Sequence, residues 1–375
     1  MSSLTQKKKS ARRNPVAVYA AMQDDIRMQI ASGKLKPDAP LLSEFELSKK
    51  YGISRGSVRT GLRLLRENGI IRVLPGKGAF VARPSALHSV LRRNRIALII
   101  PGLEDSDHQI YEGISSVLDE AGAVLSIFNS RHSIKQENDN LLLLLEREEE
   151  GAIIFPNWGR ANAQMIYELK HADYPFVLID RYFRDLETDY VVTDNKQGGF
   201  LAGEHLIKLG HRKIGVILGV HCTAVDDRYA GFLDALGQYK QVLDPNMIVR
   251  MEEPVGNEPG HGGYETAMAL LQKKPTAIFA VNDFIARETM NAAKAQNLSV
   301  PGDISVIGFD NQSFTETLVP PLTTIAQPFR EIGRKAAAIL ISKINNRTNR
   351  VIQETLPPAL VVRESCNNIN VGRML

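Results

Sequence analysis

Arg55 and Arg59 stand one helical turn apart in the stretch Ser54-Arg-Gly-Ser-Val-Arg-Thr-Gly-Leu-Arg-Leu-Leu-Arg-Glu67. A guanidinium donates two parallel hydrogen bonds, which suits O6 and N7 of guanine in a major groove, and it pairs equally well with phosphate. Ser54 is a helix-capping residue type. Val58, Leu62 and Leu65 recur at i, i+4 and i+7 as one apolar face and leave the arginines elsewhere. Alone, the stretch also fits a solvated basic face on an ordinary helix. A second set of polar residues lies far downstream, each close behind a short apolar run. Asp180-Arg181 follow Val177-Leu-Ile179, Asn282-Asp283 follow Ile278-Phe-Ala-Val281, and Asp310 follows Val306-Ile-Gly-Phe309. Trp158 comes after Ile153-Ile-Phe155, and Arg228 opens the helix after Ile214 to Leu218. Carboxylates and guanidiniums grip neighbouring hydroxyls through paired hydrogen bonds, and an indole face covers the apolar face of a sugar ring. Structural ion pairing or loop capping is the competing use of each residue.

The elements that must position these residues are readable from pattern. Val16 to Ser32 carries a helical period through Tyr19, Met22, Ile26 and Ile30, and Gly33 is a C-terminal stop. Ser43-Glu-Phe-Glu46 is a capping box opening a second helix, with Phe45, Leu47 and Tyr51 as expected core. Gly52-Ile53 is a tight turn into the arginine helix, giving helix-turn-helix spacing. Ile70-Ile-Arg-Val73 and Ala79-Phe-Val81 flank Pro75-Gly-Lys-Gly78, which predicts a hairpin with a glycine-rich tip that a minor groove can admit and Lys77 as its charge. From Arg95 the texture changes. Buried-strand runs alternate with amphipathic stretches as far as Ser305 to Gly308, which predicts doubly wound parallel sheets. About ten such strands are too many for one compact sheet, so two lobes are expected. Ligands in such sheets bind beyond the carboxyl ends of the strands, where the polar residues above fall.

Charge follows the same division. Residues 1–95 hold 20 Lys/Arg against 6 Asp/Glu, whereas residues 96–375 hold 26 against 36. A basic head on an acidic body predicts a polyanion-binding module joined to something else. The expected domains are a basic arm over 1–15, a winged helix-turn-helix over 16–82, a linker over 83–94, an effector-binding and dimerisation domain over 95–366 and a tail over 367–375. No apolar run approaches the roughly eighteen residues of a membrane span. The basic N-terminus lacks the apolar core of a secretion signal, so a cytoplasmic location is expected. Cys222 and Cys366 make neither a disulfide framework nor a metal site, and no cofactor is expected.

Residues 16–82 resemble the winged-helix domain of GntR-family regulators. The likeness is carried by Ser32-Gly-Lys-Leu-Lys-Pro37, Leu42-Ser-Glu-Phe-Glu-Leu47, Tyr51-Gly-Ile-Ser-Arg-Gly-Ser-Val-Arg59, Leu65-Arg-Glu-Asn-Gly-Ile70 and Gly76-Lys-Gly-Ala-Phe-Val81. The resemblance implies that Arg55 and Arg59 read bases, that Ser54 and Ser57 meet phosphates, and that Gly76, Lys77 and Gly78 enter the minor groove. Leu42, Phe45 and Ala79 depart from the usual Pro, Arg and Thr. Residues 95–365 resemble the effector domain of LacI/GalR regulators and of periplasmic sugar-binding proteins. The signatures are Tyr111-Glu-Gly-Ile114, Val177-Leu-Ile-Asp-Arg181, Arg228-Tyr-Ala-Gly-Phe232, Ala280-Val-Asn-Asp283, Val300-Pro-Gly-Asp-Ile-Ser-Val-Ile-Gly-Phe-Asp310 and Leu322-Thr-Thr-Ile-Ala-Gln327. That likeness implies ligand contacts from Arg228, Asp283, Asp180, Arg181 and Gln327. His108 is the expected substitute for an absent ring-stacking segment after the first strand. A GntR-type head on a LacI-type body is the arrangement of arabinose-responsive repressors, and it implies a homodimer on a palindromic operator with a sugar effector.

Three other readings compete. The same regulator could answer to a purine or a phosphorylated metabolite, although the strand ends offer carboxylates as well as cations. A non-regulatory sugar-binding transport protein of the same fold would be expected to carry a secretion signal, which the basic N-terminus does not resemble. An enzyme is not expected, because Gly-x-Gly-x-x-Gly, Gly-x-Ser-x-Gly and Walker motifs are missing.

Overall fold

The computed structural model describes residues 15–67, 69–74, 77–82, 95–147, 149–251, 262–346 and 350–369. The expected basic arm, the linker and Gly76 at the wing tip lie outside them. The chain divides into two compact units, Met1–Arg92 and Arg93–Leu375.

In the first unit, α1 (Pro15–Ala31), α2 (Glu44–Tyr51) and α3 (Arg55–Glu67) precede an antiparallel hairpin of β1 (Ile71–Leu74) and β2 (Gly78–Val81). Ser43 caps α2, and Glu46 returns a hydrogen bond to the Ser43 N–H at 2.8 Å, closing the capping box. Gly52 ends α2 at φ 62°, a left-handed conformation that turns the chain directly into α3. Met22, Ile26, Leu47, Val58, Leu62, Leu65 and Ile71 form the core. Phe45 does not join them: it is 67% exposed. Leu47 and Tyr51 set the inward face of α2, and a residue two positions before Leu47 lies about 200° round the helix from it.

The second unit is two lobes, each built on a six-stranded sheet. The first sheet has the order β13-β7-β6-β5-β3-β4, all parallel, from β3 (Arg95–Ile100), β4 (Val124–Asn129), β5 (Gly151–Ile154), β6 (Phe176–Ile179), β7 (Tyr190–Thr193) and β13 (Gln353–Leu356). The second has the order β14-β12-β11-β10-β8-β9, from β8 (Ile214–Leu218), β9 (Ile248–Arg250), β10 (Ala277–Ala280), β11 (Ser305–Asp310), β12 (Thr323–Ala326) and the antiparallel β14 (Ala359–Val361). In both, the strand order reverses beside the first strand, at β3/β5 and at β8/β10. Loops leaving opposite sides of such a point open a crevice at the strand ends. The helices in chain order are α4 (Asp105–Ala121), α5 (Ile134–Glu146), α6 (Ala163–His171), α7 (Asn195–Lys208), α8 (Thr223–Gln238), α9 (Gly263–Leu271), α10 (Asp283–Ala295) and α11 (Phe329–Asn346). The chain crosses between lobes after β7, after β12 and after β13.

Glycines bring two helix pairs into close contact. A Cβ on Gly113 of α4 would stand 2.0 Å from the Arg330 carbonyl oxygen, and one on Gly333 of α11 would stand 2.2 Å from that of Ile110. In the other lobe a Cβ on Gly199 of α7 would stand 1.8 Å from the Arg228 carbonyl oxygen, and one on Gly231 of α8 would stand 1.7 Å from that of Lys196. Among the described residues, no helix is long and apolar enough to cross a membrane.

Candidate functional site

The first unit presents its polar face at the start of α3. Ser54 Oγ accepts from the Ser57 N–H at 3.1 Å and lies 2.9 Å from Ser57 Oγ. Arg55, Arg59, Lys77 and Gly78 are exposed, and Ser57 is partly exposed. Thus α3 offers a serine pair at its N-terminus and two arginines one turn apart, a ready anion- and base-contacting end. Glu44 at the start of α2 accepts the Arg59 Nε–H with both carboxylate oxygens, at 2.9 and 3.1 Å.

In the second unit the strand ends converge. The Arg181 Nε–H donates to Asp180 Oδ2 at 2.9 Å, and its guanidinium lies 5.0 Å from the centre of the Phe155 ring. From the facing lobe, Arg228 of α8 approaches Asp310 at 3.2 Å and donates to Asn195 Oδ1 at 2.8 Å and to the Val281 carbonyl at 2.6 Å. The Gln327 amide donates to Asp310 Oδ1 at 2.7 Å and its oxygen accepts from the Thr193 hydroxyl at 2.5 Å, which ties two of the interlobe crossings to the cleft. Burial pushes Asp310 up to about 6, with Arg228 pulling it down and Asp180 pushing it up, so the two lobes' charges sense one another. Asp180 and Asp310 both have left-handed backbone, φ 64° and 113°. Such conformations in non-glycine residues cost energy and persist where surrounding structure imposes them, often at functional sites.

The aromatic wall differs from expectation. His108 is 66% exposed; it lies 3.7 Å from Glu112 and its ring stacks at 6.4 Å on Tyr111. The ring beside Trp158 is His132, 5.8 Å away and nearly parallel at 12°. Its Nε2 lies 2.8 Å from Glu104 Oε1. One residue before His108, Asp107 turns the other way. Its Oδ2 accepts from the Glu104 N–H at 2.9 Å, and burial, with Glu104 and Asp180 nearby, pushes its carboxyl up to about 8. Burial and the neighbouring acids thus favour the protonated form of Asp107. Glu137 braces the loop that carries Trp158 by accepting from the Asn157 N–H at 3.0 Å and the Asn162 amide at 2.7 Å.

Asn282 and Asp283 have structural partners. Asn282 caps α10 by accepting from the Ile285 N–H at 2.8 Å. Asp283 is fully buried, with Oδ2 accepting from the Gln312 N–H at 2.8 Å and Oδ1 from the Thr324 hydroxyl at 2.6 Å. Its charge is felt by Asp310 and Arg228, so it lies beside the cleft with one hydrogen bond already made at each oxygen. The carboxylate that meets Arg228 is Asp310, which the sequence marks as a strand-end residue.

Residues 18–81 match the model of bacterial regulatory proteins of the gntR family, and residues 204–366 match that of a periplasmic binding protein-like domain. The chain is 30% identical over 357 residues to the arabinose metabolism transcriptional repressor of Geobacillus stearothermophilus, covering 94% of this chain and 98% of that protein. It is 33% identical over 342 residues to the HTH-type transcriptional regulator DegA of Bacillus subtilis (strain 168), covering 87% and 98%. A LacI family transcriptional regulator from Enterococcus faecium, crystallised with bound ribose, superposes with a TM-score of 0.63 at 28% identity, covering 73% of this chain and 99% of that one. With a winged helix-turn-helix that exposes paired arginines and a two-lobed body whose strand ends face one cleft, the chain belongs to the GntR-family transcriptional regulators that carry a periplasmic-binding-protein-like effector domain.

Proposed function

We propose that this regulator is a cytoplasmic, homodimeric repressor of carbohydrate-utilisation genes, that it binds a palindromic operator, and that a small neutral sugar in the cleft changes that binding. In this reading Arg55 and Arg59 contact bases, while Ser54, Ser57, Gly76, Lys77 and Gly78 contact the backbone and minor groove. Arg181, Asp180, Arg228, Asp310, Gln327 and Trp158 hold the sugar. The observation that carries the reading is the pairing of one carboxylate with one guanidinium on each side of the cleft, Asp180–Arg181 and Asp310–Arg228. Charges balanced in this way suit neutral hydroxyls better than a phosphate, which calls for an excess of cations. The indole of Trp158 supplies the apolar surface that a sugar ring needs.

The test is thermal unfolding against neutral pentoses and hexoses, sugar phosphates and purines. One neutral sugar raises the melting midpoint in proportion to the logarithm of its concentration. At a hundredfold excess over Kd the gain is about 2.7 kcal/mol, a rise of roughly 5–10 °C. Arg181→Ala, which removes a charged donor, weakens the apparent affinity by about tenfold or more and leaves operator binding without sugar intact. A shift produced only by phosphates or purines overturns the neutral-sugar reading.

A further inference from the structure

Around α3 the first unit's exposed face is basic, yet an acidic side chain sits against the arginine expected to read bases. The Glu44 carboxylate takes the Arg59 Nε–H with both oxygens. Folding does not require this pair. The two side chains are 34% and 65% exposed, and exposed ion pairs contribute little to stability. Nor does the α2 cap require it, since Ser43 and Glu46 complete the capping box between them. A carboxylate beside a polyanion costs affinity for every sequence alike, so its place must be justified by something other than raw affinity.

The geometry supplies that. A guanidinium offers two donor forks, one along its Nε edge and one at its end between the two terminal nitrogens. Glu44 occupies the Nε edge, so the terminal fork is the one presented outward. That fork matches O6 and N7 of guanine, whereas a swinging arginine would meet phosphates and bases of several kinds. We propose that Glu44 is a positioning residue that holds Arg59 end-on and thereby sets the preference for guanine at one position of each half-site. The inference rests on α3 being the base-reading helix.

The experiment uses the full chain. Wild-type protein selects from a pool of duplexes with a randomised central segment, and the enriched sequence is then tested with its guanine replaced by each other base, at two salt concentrations. Glu44→Gln and Glu44→Ala keep the wild-type melting midpoint but lose about tenfold of the preference at one position per half-site. Their affinity for an unrelated duplex is equal to or greater than the wild-type value. In an Arg59→Ala background, Glu44→Gln changes the base preference no further, because the effect runs through Arg59. Tighter binding to all duplexes with the preference intact would make Glu44 a competitor of DNA and overturn the proposal. Loss of preference at every position together with a lowered melting midpoint would make its role structural and overturn it too. A wild type that enriches no sequence at all would instead overturn the assignment of α3, a failure distinguishable from the failure of Glu44.

Discussion

Asp107 and Asp310 share one cleft and are both held above the ordinary carboxylate range, but their surroundings differ. Asp310 has Arg228 at 3.2 Å and the Gln327 amide at 2.7 Å, so its rise stops at about 6 and it stays largely charged at neutral pH. Asp107 has a backbone N–H and two nearby acids, Glu104 and Asp180, and rises to about 8. A neutral carboxyl donates a hydrogen bond as well as accepting one, so Asp107 can offer a hydroxyl-bearing ligand a donor in an otherwise acceptor-rich wall. The same shift has a consequence for stability. An acid whose folded pKa lies above its unfolded value contributes stability that is fully present below the unfolded value, near 4, and lost as pH rises through about 8. Asp107→Asn keeps the acceptor for the Glu104 N–H and cannot ionise. The wild-type melting midpoint should therefore fall more steeply between pH 4 and pH 8 than that of Asp107→Asn, and the two curves should converge below about pH 4 and run parallel above pH 8. Parallel curves between those limits as well would show that Asp107 is not the group that titrates.

At the scale of elements, the body repeats one device. Tyr111-Glu-Gly-Ile114 in α4 and Tyr229-Ala-Gly-Phe232 in α8 each follow the first strand of a lobe, and each places its glycine against the backbone of a neighbouring helix, α11 in one lobe and α7 in the other. The second crossing also holds the cleft arginine, because Gly199 of α7 touches the backbone of Arg228 itself. Gly199→Ala puts a methyl group into that carbonyl, where overpacking costs about 1–3 kcal/mol or more. It should lower the melting midpoint by several degrees and weaken sugar binding, since α8 can relieve the clash only by moving Arg228. Gly237 near the end of α8 is the control: a Cβ there meets nothing within 4 Å, so Gly237→Ala should leave both properties unchanged or raise stability slightly. These crossings mark where sequence reading stops. Alternating buried strands and helices, the capping box at Ser43 and the turn at Gly52 are local signals, and local signals survive in a linear text. The pairing of α4 with α11, more than two hundred residues apart, is not local. Nor does strand alternation mark β13 and β14: Gln353-Glu-Thr-Leu356 is an edge strand with polar residues, followed directly by two prolines. The site divides in the same way. Asp180, Arg181, Arg228, Trp158 and Gln327 are legible as polar residues at strand ends or by resemblance. Which of two adjacent residues turns inward is decided by about 100° of helix rotation, and here Asp107 is buried while His108 is exposed. His132 escapes the strand-end rule because it lies in the turn after β4, at the sheet edge. Asp283 has the right residue type at a strand end, and Gln312 and Thr324 each bond one of its oxygens, contacts between distant segments that residue type alone does not announce.

At the scale of the whole effector domain, the cleft is latched shut along both rims. On one side the Ser313 N–H donates to Asp105 Oδ2 at 3.0 Å and the Ser106 N–H to Gln312 Oε1 at 3.3 Å. On the other, Thr223 Oγ1 bonds the Tyr182 N–H and carbonyl at 3.1 and 3.2 Å, the Gly159 N–H donates to the His221 carbonyl at 3.0 Å, and Arg184 pairs with Asp227 at 2.5 Å. Three chain crossings, at Thr193-Asp194, Gln327-Pro328 and Pro357-Pro358, also join the lobes, and hinge motion about them would break the latches. A ligand that needs the closed form binds with an apparent affinity reduced by the fraction of molecules that are open, and any latch made only when closed raises that affinity by its own strength. Arg184 and Asp227 are 56% and 25% exposed, so their pair is worth about 0.2–1 kcal/mol. Asp227→Asn should therefore weaken sugar binding by up to about fivefold at low ionic strength and leave the sugar-free melting midpoint within about a degree of wild type. Salt screens exposed pairs, so the gap between mutant and wild type should narrow toward 1 M salt. The same substitution should raise, by the same factor, the sugar concentration needed to change operator binding, because coupling between two ligands is reciprocal. A sugar affinity unmoved by Asp227→Asn would mean that the pair persists in the open form. The closing energy would then reside in the backbone contacts of Asp105, Ser106 and Thr223, where Thr223→Val is the next substitution to measure.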